Sequence, residues 1–498
     1  KEADAIVAGS SGPFTVDLSA PIVIVECDVP ARVTLSRYHF EPVEGLMVPA
    51  EVDRAESAPA TPAMVRGDEV GAYRLEVSAP GYLPARDLLH LSRGSRRTIR
   101  LSLVDESSLG PLAGFVVHIP AGEARWDGDL ETRQALDEFL LMRDELSYQQ
   151  WKSFSVSDEA RRAAMAPDAT VSKDTLRKWP AVNISWRDVQ AYLVWFQNEL
   201  DLAGISYVAT IPGVGRYSRA LRGELSWAFP WGDTQEPTFC VSSETVESDE
   251  ARTPVFSVLV KTTRDESGFG VRSLTGLMSE FVAPKDPRIA LEIGGNYSAP
   301  IWMIQHLVRR SSSMHVDVRG CGRTFRLAFN RRPGPTNAPV NRSEARTLAS
   351  QAAQRLQASD TVGAHSLLTR AIRADRDDAL LWNQRGNVRR MLGDPWGALW
   401  DYTVALSKTS TNTRIRVNRG LTHLENGASS DALDDFNAAV ERDPSLVDAW
   451  AARSMAKLQA GDVEGARRDA QEAHRRAPDH PMAAEALRLV EQGRRTPR

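Results

Sequence analysis

Cysteine is scarce in this chain of 498 residues, which contains three: Cys27, Cys240 and Cys321. They lie too far apart in sequence to form a CxxC metal or redox motif. So few thiols favour a reducing compartment over a disulfide-stabilised scaffold, and we therefore expect a cytoplasmic protein. Long apolar runs are missing as well. None approaches the roughly 20 residues that cross a bilayer, so no membrane partner is predicted.

A strong excess of charge of either sign is also absent. The formal net charge is -4 and the sequence pI is about 6.2, so bulk electrostatics does not indicate a nucleic-acid partner. The 42% hydrophobic and 25% charged residues are ordinary for a globular chain and exclude wholesale disorder. At roughly 150 residues per domain, the length predicts about three domains.

The C-terminal part of the chain is repetitive. Alanines recur at intervals of 34 residues, at Ala364, Ala398, Ala432 and Ala466. Small residues such as Gly386 and Gly420 recur at the same interval, and helices cross closely only where side chains are small. The pattern therefore predicts stacked helix pairs. It resembles the tetratricopeptide repeat (TPR), with four repeats over 345–480 and a capping helix and tail at 481–498.

The resemblance implies a peptide-binding groove on the inner surface of the first helices, where paired asparagines grip the peptide backbone. Asn387 and Asn418 match those positions, and Asn383 lies one turn before Asn387 on the same face. The subfamily that captures a C-terminal carboxylate needs basic residues where this chain has Asn383, Asp448 and Ala452, so no carboxylate clamp is predicted. Solvated helix faces are the alternative interpretation of these asparagines.

The central segment, 109–331, is rich in tryptophan and glycine, and its helical periodicity is confined to Asp188–Gln197. Several phrases follow one another in a set order, among them Phe115-Val-Val-His-Ile-Pro-Ala-Gly122, Phe229-Pro-Trp-Gly-Asp233 and Gly322-Arg-Thr-Phe-Arg-Leu-Ala328. This order resembles the formylglycine-generating enzyme (sulfatase-modifying factor) family. The resemblance implies an α+β, C-type-lectin-like fold with little regular structure.

Members of that family oxidise a substrate cysteine with Cu(I) held by two cysteine thiolates. The matching positions here are Ala299 and Ile304, and neither side chain can bind soft Cu(I). We therefore predict a pseudoenzyme with no catalytic residue, no cofactor and no metal site. The alternative is a copper- or iron-dependent oxidase or oxygenase with a displaced active site that uses Cys321 or Cys240.

Two further departures from the family pattern concern structure. The phrase that begins a helix in the family reads Thr210-Ile-Pro-Gly-Val-Gly-Arg-Tyr217, which has lost its acidic residues and gained two glycines unfavourable to a helix. An asparagine that contributes to a structural calcium site in the family is replaced by Leu277, so calcium is not expected there.

The segment 19–108, after an N-terminal extension of 1–18, alternates apolar and polar residues in short bursts such as Pro21–Cys27 and Tyr73–Ser78. This predicts an antiparallel β-sandwich. The phrase Gly71-Ala-Tyr-Arg-Leu-Glu-Val-Ser-Ala-Pro-Gly-Tyr82 resembles the PEGA-like sandwich. The order of the two modules is similar to the region after the kinase domain in bacterial kinase fusions. A regulatory fragment of a bacterial kinase or protease signalling system is thus a further alternative.

A proline-rich linker, 332–344, is interpreted as a hinge that holds the repeats at a set distance from the central domain. The predicted architecture is an all-β sandwich, an α+β C-type-lectin-like domain and an all-α TPR solenoid. The predicted function is a non-catalytic protein-interaction scaffold or regulator. One protein or peptide partner would bind the groove, and a second protein partner would bind the lectin-like domain.

Overall fold

The computed structural model describes residues 20–41, 46–56, 62–67, 69–125, 133–155, 180–225, 227, 229–230, 266–274, 279–284, 289–294, 312–315, 323–332 and 340–493. Three regions follow one another along the chain: a β-rich N-terminal region, a central α+β region and a C-terminal array of helix pairs.

The N-terminal region is made of strands, and in several of them, such as the one over Ile22–Cys27, buried side chains alternate with more exposed ones. The strands are β1 (Ile22–Cys27), β2 (Arg32–Glu41), β3 (Leu46–Glu56), β4 (Ala63–Arg66), β5 (Gly71–Ser78), β6 (Tyr82–Leu83), β7 (Ala85–Leu91), β8 (Arg96–Leu101) and β9 (Val104–Asp105). A sheet of order β4-β1-β8 shares a core with β2, β5 and β7, so the all-β sandwich is confirmed. The expectation of purely antiparallel pairing is wrong, because β1 pairs with β8 in parallel. The PEGA-like assignment stays a prediction.

The central region combines short strands with helices. Its elements are β10 (Val116–Ile119), β11 (Gly122–Arg125), β12 (Arg133–Leu136), β13 (Phe139–Met142), α1 (Tyr148–Ser155), α2 (Trp186–Ala203), β14 (Tyr207–Thr210), α3 (Val214–Arg222), β15 (Ser279–Val282), β16 (Ile289–Ile293), β17 (Ser312–His315), β18 (Arg323–Thr324) and β19 (Ala328–Arg331). A sheet of order β14-β19-β13-β10-β7-β5-β2-β3 runs from this region into the N-terminal region.

The helix α2 begins and ends at local signals in the sequence. The Ser185 hydroxyl accepts a hydrogen bond from the Asp188 amide, and the Asp188 carboxylate accepts one from the Ser185 amide. This reciprocal capping satisfies two backbone donors that a helix start otherwise leaves free. The helix stops at Gly204, whose φ of 74° is left-handed. The periodic stretch at Asp188–Gln197 is therefore the middle of a longer helix.

The two glycines in the phrase Thr210–Tyr217 do not prevent a helix, contrary to the sequence-based expectation. Gly213 is the N-cap of α3, and Gly215 lies within its first turn. A Cβ on Gly215 would lie 2.5 Å from the Gln134 side-chain oxygen on the neighbouring strand β12, so a larger residue here would require that side chain to move. The buried residues of α3, among them Tyr217 and Leu221, provide packing that outweighs the low helix propensity.

The C-terminal region is an array of antiparallel helix pairs, as the repeat predicts. The helices are α4 (Arg342–Gln357), α5 (Thr361–Ala374), α6 (Ala379–Met391), α7 (Pro395–Lys408), α8 (Thr413–Glu425), α9 (Ser429–Arg442), α10 (Val447–Gln459), α11 (Val463–Arg476) and α12 (Pro481–Gly493). A Cβ on Gly386 would lie 2.7 Å from the Tyr402 ring, and one on Gly420 would lie 2.6 Å from the Phe436 ring. Close crossing at the small residues is thus confirmed.

The repeats do not stand at a distance from the central region. Phe196 on α2 packs against Trp400 on α7 with ring centroids 5.4 Å apart, and one continuous core contains residues from both regions. The interpretation of the linker as a spacer is therefore wrong. Its residues 333–339 lie outside the described part of the chain. Among the described helices, none is both long and apolar enough to cross a membrane.

Candidate functional site

The helix α6 has two opposite faces, of which one is partly exposed and the other is buried. At 100° per residue, Asn383 and Asn387 lie close together on one side of the helix, and Arg385 and Arg389 lie on nearly the opposite side. The asparagine side is partly exposed, whereas both arginines are buried. The candidate groove and the contact with the central region therefore use different surfaces of the same helix.

The three predicted asparagines lie near one another and are held by neighbouring polar side chains. The Asn418 Nδ2 on α8 donates to the Asn383 Oδ1 on α6 over 3.0 Å, which links two successive first helices. The Tyr402 hydroxyl donates to the Asn387 Oδ1 over 2.7 Å. Each amide keeps hydrogen-bonding capacity, because the Asn387 Nδ2 and the Asn418 Oδ1 are not used in these bonds. The contacts orient the amides before any partner arrives.

Apolar side chains lie beside the asparagines on the same face of α6. Leu380 is 56% exposed and Met391 is 63% exposed. At the positions where a carboxylate clamp would need a cation, Asp448 instead lies 3.2 Å from the His480 Nε2. The face therefore offers amides and apolar contact, with no cationic side chain at the clamp positions Asn383, Asp448 and Ala452.

On the other side of α6, a buried ionic cluster joins the repeats to the central region. Glu199 on α2 accepts hydrogen bonds from the Arg385 Nη2 at 2.8 Å and the Arg389 Nη2 at 2.9 Å. Asp401 on α7 accepts from the same two arginines at 2.7 and 3.0 Å. A third buried carboxylate, that of Asp394, lies farther away, 3.8 Å from the Arg389 Nε. Glu199 is the member of the cluster that the central region contributes.

The charges of this cluster depend on one another. Burial by itself would raise the pKa of Glu199, but Arg385 and Arg389 outweigh it and hold that pKa at about 2. His365 on α5 lies beside the cluster and accepts a hydrogen bond at its Nε2 from the Arg389 Nε over 3.4 Å. Burial and then the charges of Arg389 and Arg385 lower the pKa of His365 to about 3, so its imidazole stays neutral.

Aromatic side chains surround the ionic cluster. Trp396 and Trp400 on α7 lie 5.4 Å apart and contact both Phe115 and Phe196 of the central region at 5.4 to 6.5 Å. Trp400 is 2% exposed. Rings of this size remove much apolar surface from water and lower the effective dielectric around the charges. The interface between the central region and the repeats thus resembles a protein core in its composition.

Hydrogen bonds from α1 extend the interface along the repeats. The Gln149 and Asn426 amides form a reciprocal pair, at 2.6 and 3.1 Å. The Ser153 hydroxyl donates to the carboxylate of Asp394, which also caps α7 by accepting from the Gly397 amide at 2.8 Å. Burial raises the pKa of Asp394. Because Asn426 belongs to the third repeat, the central region spans more than one repeat.

Glu199, Arg385 and Arg389 were not among the residues predicted from the sequence. The sequence does contain a signal for the ion pairs within the repeats, because an arginine on the first helix and an aspartate 16 residues later recur every 34 residues. They form the ion pairs Arg385–Asp401, Arg419–Asp435 and Arg453–Asp469. Nothing periodic marks Glu199, which lies 186 residues from Arg385 in sequence.

The residues that carry the pseudoenzyme prediction lie outside the described part of the chain. They are Ala299 and Ile304, and the same holds for Cys240, Cys321 and Leu277. Cys27 is described; it is buried, and its thiol donates a hydrogen bond to the Asp28 carboxylate over 3.4 Å. Within the described residues, no three His, Cys, Asp or Glu side chains come together as a metal site. In the described core of the central region, Arg326 and Glu280 form an ion pair. Both side chains are fully buried, and the Arg326 Nε lies 2.7 Å from the Glu280 Oε2.

Comparison with known proteins agrees with the fold. Residues 104–330 match the family described as the sulfatase-modifying factor enzyme 1-like domain, so this resemblance is confirmed. No curated protein matches the chain.

The repeat region is similar to solved TPR structures. The first TPR of Spaghetti (RPAP3) bound to an HSP90 peptide is 24% identical and covers 24% of this chain and 97% of its own, with a TM-score of 0.23. YrrB, a TPR protein with an unusual peptide-binding site, is 24% identical; the match covers 30% of this chain and 76% of YrrB, with a TM-score of 0.27. MamA is 14% identical; the match covers 30% of this chain and 83% of MamA, with a TM-score of 0.28.

Proposed function

We propose that this chain is a non-catalytic protein-interaction scaffold whose repeat groove binds an extended peptide segment of a partner protein. The observation that carries the proposal is the orientation of Asn387 and Asn418, each held by a side chain of the array. The scarcity of cysteine supports a reducing compartment such as the cytoplasm. A second protein partner on the central module is a further part of the proposal.

The free amide groups match the needs of a peptide backbone. The Asn387 Nδ2 would donate to a peptide carbonyl, and the Asn418 Oδ1 would accept from a peptide N–H. Such bonds do not depend on the side chains of the peptide. A groove that binds through them is therefore selective for extended backbone, and selectivity for sequence must come from neighbouring contacts.

The apolar residues supply those contacts. Leu380 and Met391 stand at the two ends of the asparagine face, and eleven residues of helix correspond to about 16 Å. An extended peptide covers that length in about five residues. Since alternate side chains of an extended segment share a face, we expect the preferred segment to carry two apolar side chains four or six residues apart. Without basic residues at the clamp positions, a free C-terminal carboxylate should add little.

A peptide selection tests this part of the proposal. Random twelve-residue peptides displayed on phage are selected against the full chain, and a selected peptide is labelled for fluorescence anisotropy. We expect the double substitution Asn387→Ala and Asn418→Ala to raise the Kd about tenfold or more, since two backbone hydrogen bonds are lost. The matched control is Asn437→Ala, which removes an exposed asparagine from the second helix α9.

The control variant should bind like the wild type, and amidation of the peptide C-terminus should leave the Kd unchanged. If the double variant binds the selected peptide as tightly as the wild type does, the asparagines do not grip it. If the amidated peptide binds much more weakly, the groove holds a terminal carboxylate after all.

The non-catalytic part of the proposal rests on Ala299 and Ile304, which stand where the family has its two copper thiolates. We expect the chain, loaded with Cu(I) without oxygen and then dialysed against a Cu(I) chelator, to retain far less than one equivalent of copper. One equivalent that is lost in the variant Cys321→Ser, with folding unchanged, would instead support an oxidase with a displaced site. Iron is measured in the same samples.

A further inference from the structure

A cavity of about 310 Å³ lies where the N-terminal region meets the central region. It is distinct from both the groove and the ionic cluster. The strands β7 and β10 are neighbours in the long sheet, but the one aligned pair between them is Ala85 with His118. Pro84 comes just before β7 and has no N–H to donate, so the pairing cannot continue past it. The two strands part there, and the cavity occupies the gap.

Three arginines line this cavity: Arg86, Arg143 and Arg272. The Arg86 Nε donates to Glu76 at 2.8 Å, and the Arg272 Nη2 donates to Asp144 at 2.7 Å; with respect to the described residues, most of their donors remain available. Arg143 has no ion pair with any of the described residues.

Acceptors are fewer on the lining. Glu266 is its one carboxylate among the described residues. His118 also lines the cavity, and it is 1% exposed with no hydrogen bond at either ring nitrogen among the described residues. The nearest carboxylate oxygen to it is that of Glu138, 3.4 Å from its Nε2. Among the described residues the lining therefore has an excess of donors, which an acceptor-rich group would satisfy.

The backbone also keeps the cavity open. Gly270 has a φ of 86°, a left-handed conformation that favours glycine. A Cβ at this position would lie 2.8 Å from the Arg86 Nη1, so a larger residue would push into the guanidinium. Next to the arginines, Leu83 and Phe269 supply apolar surface. A few directed polar groups beside apolar walls are typical of small-molecule sites.

We propose that this cavity binds a small organic oxyanion. Its carboxylate or phosphate group would accept hydrogen bonds from Arg143, with Arg86 and Arg272 at the sides. Its apolar body would lie against Leu83 and Phe269. Because residues of both regions line the cavity, such a ligand binds the two regions together. The site is independent of the peptide groove.

Calorimetric titration of the full chain tests the proposal with two probes, phenyl phosphate and benzoate, which carry the same ring with different anionic groups. We expect at least one to bind, and the tighter probe identifies the preferred anion. Arg143→Met, which keeps the aliphatic stem, should raise its Kd about tenfold or more, the loss expected for a charge-assisted hydrogen bond. Arg96→Met, which changes an exposed arginine on β8, should leave the Kd unchanged.

A second variant protects the test against a folding defect. Arg272 has 45% of its side chain exposed, so Arg272→Met should fold normally and also weaken binding. Absence of binding for both probes, or equal affinity in the wild type and both lining variants, would overturn the proposal. Equal weakening in Arg96→Met would show that general surface charge is responsible, and would overturn it too.

Discussion

Replacing Glu199 with alanine is expected to lower the free energy of unfolding by about 3–5 kcal/mol. The reason is that Arg385 and Arg389, 0% and 2% exposed, would keep their charges while both lose the Glu199 carboxylate, which accepts a hydrogen bond from each of them. An unbalanced charge in a buried site costs more than the intact pair contributes. Urea denaturation of the full chain measures the loss, and hydrogen exchange of α2 and α6 locates it.

The same helix offers a matched control. Asp201 on α2 also pairs with an arginine, Arg332 at 3.0 Å, but 39% of its side chain is exposed. Asp201→Ala should therefore cost less than about 1 kcal/mol. If Glu199→Ala proved no more destabilising than Asp201→Ala, and exchange in α6 did not increase, the ionic cluster would not hold the two regions together.

Acidification should destabilise the wild-type chain through His365. The pKa of this group is lowered in the folded protein from its ordinary 6.5 to about 3, by burial and by Arg389 and Arg385. Below pH 6.5 the unfolded chain therefore takes up a proton that the folded chain does not, and stability falls as the pH falls towards 3. Between pH 6.5 and about pH 5 the loss amounts to about 2 kcal/mol at 1.36 kcal/mol per pH unit.

The variant His365→Gln isolates this effect. Glutamine can still accept the hydrogen bond from Arg389 but does not titrate, so the difference in stability from the wild type should shrink or reverse as the pH falls. Denaturant midpoints at the two pH values measure it. His90→Gln, which changes an exposed histidine on β7, should keep the slope of the wild type. A wild-type slope in His365→Gln would mean that another group controls acid stability.

The repeat array could be predicted in detail because its signals are local and periodic. Gly386 and Gly420 mark crossings that the Tyr402 and Phe436 rings fill, and their interval is visible without any structure. The asparagine face followed from the same register. The helix α3 could not be predicted in this way, because its buried residues, such as Tyr217 and Leu221, pack against parts of the chain that are distant in sequence.

The contact between the repeats and the central region was beyond sequence reasoning for a physical reason. Proline-rich linkers usually hold modules apart, and the linker composition therefore favoured separation. Docking instead depends on Glu199, Phe196 and Trp400, whose separate positions in the sequence have no pattern in common. Buried ion pairs and aromatic contacts across such distances become visible only in three dimensions.

Because the surface of the array repeats every 34 residues, the central region could in principle dock against more than one of the repeats. The ion pairs of Arg385, Arg419 and Arg453 are nearly equivalent. Trp396 and Trp400 make one repeat different from the next, because the positions that match them in the next repeat are Ser430 and Asp434. A slip by one repeat would press aromatic rings onto a hydroxyl and a carboxylate, so a single alignment is selected.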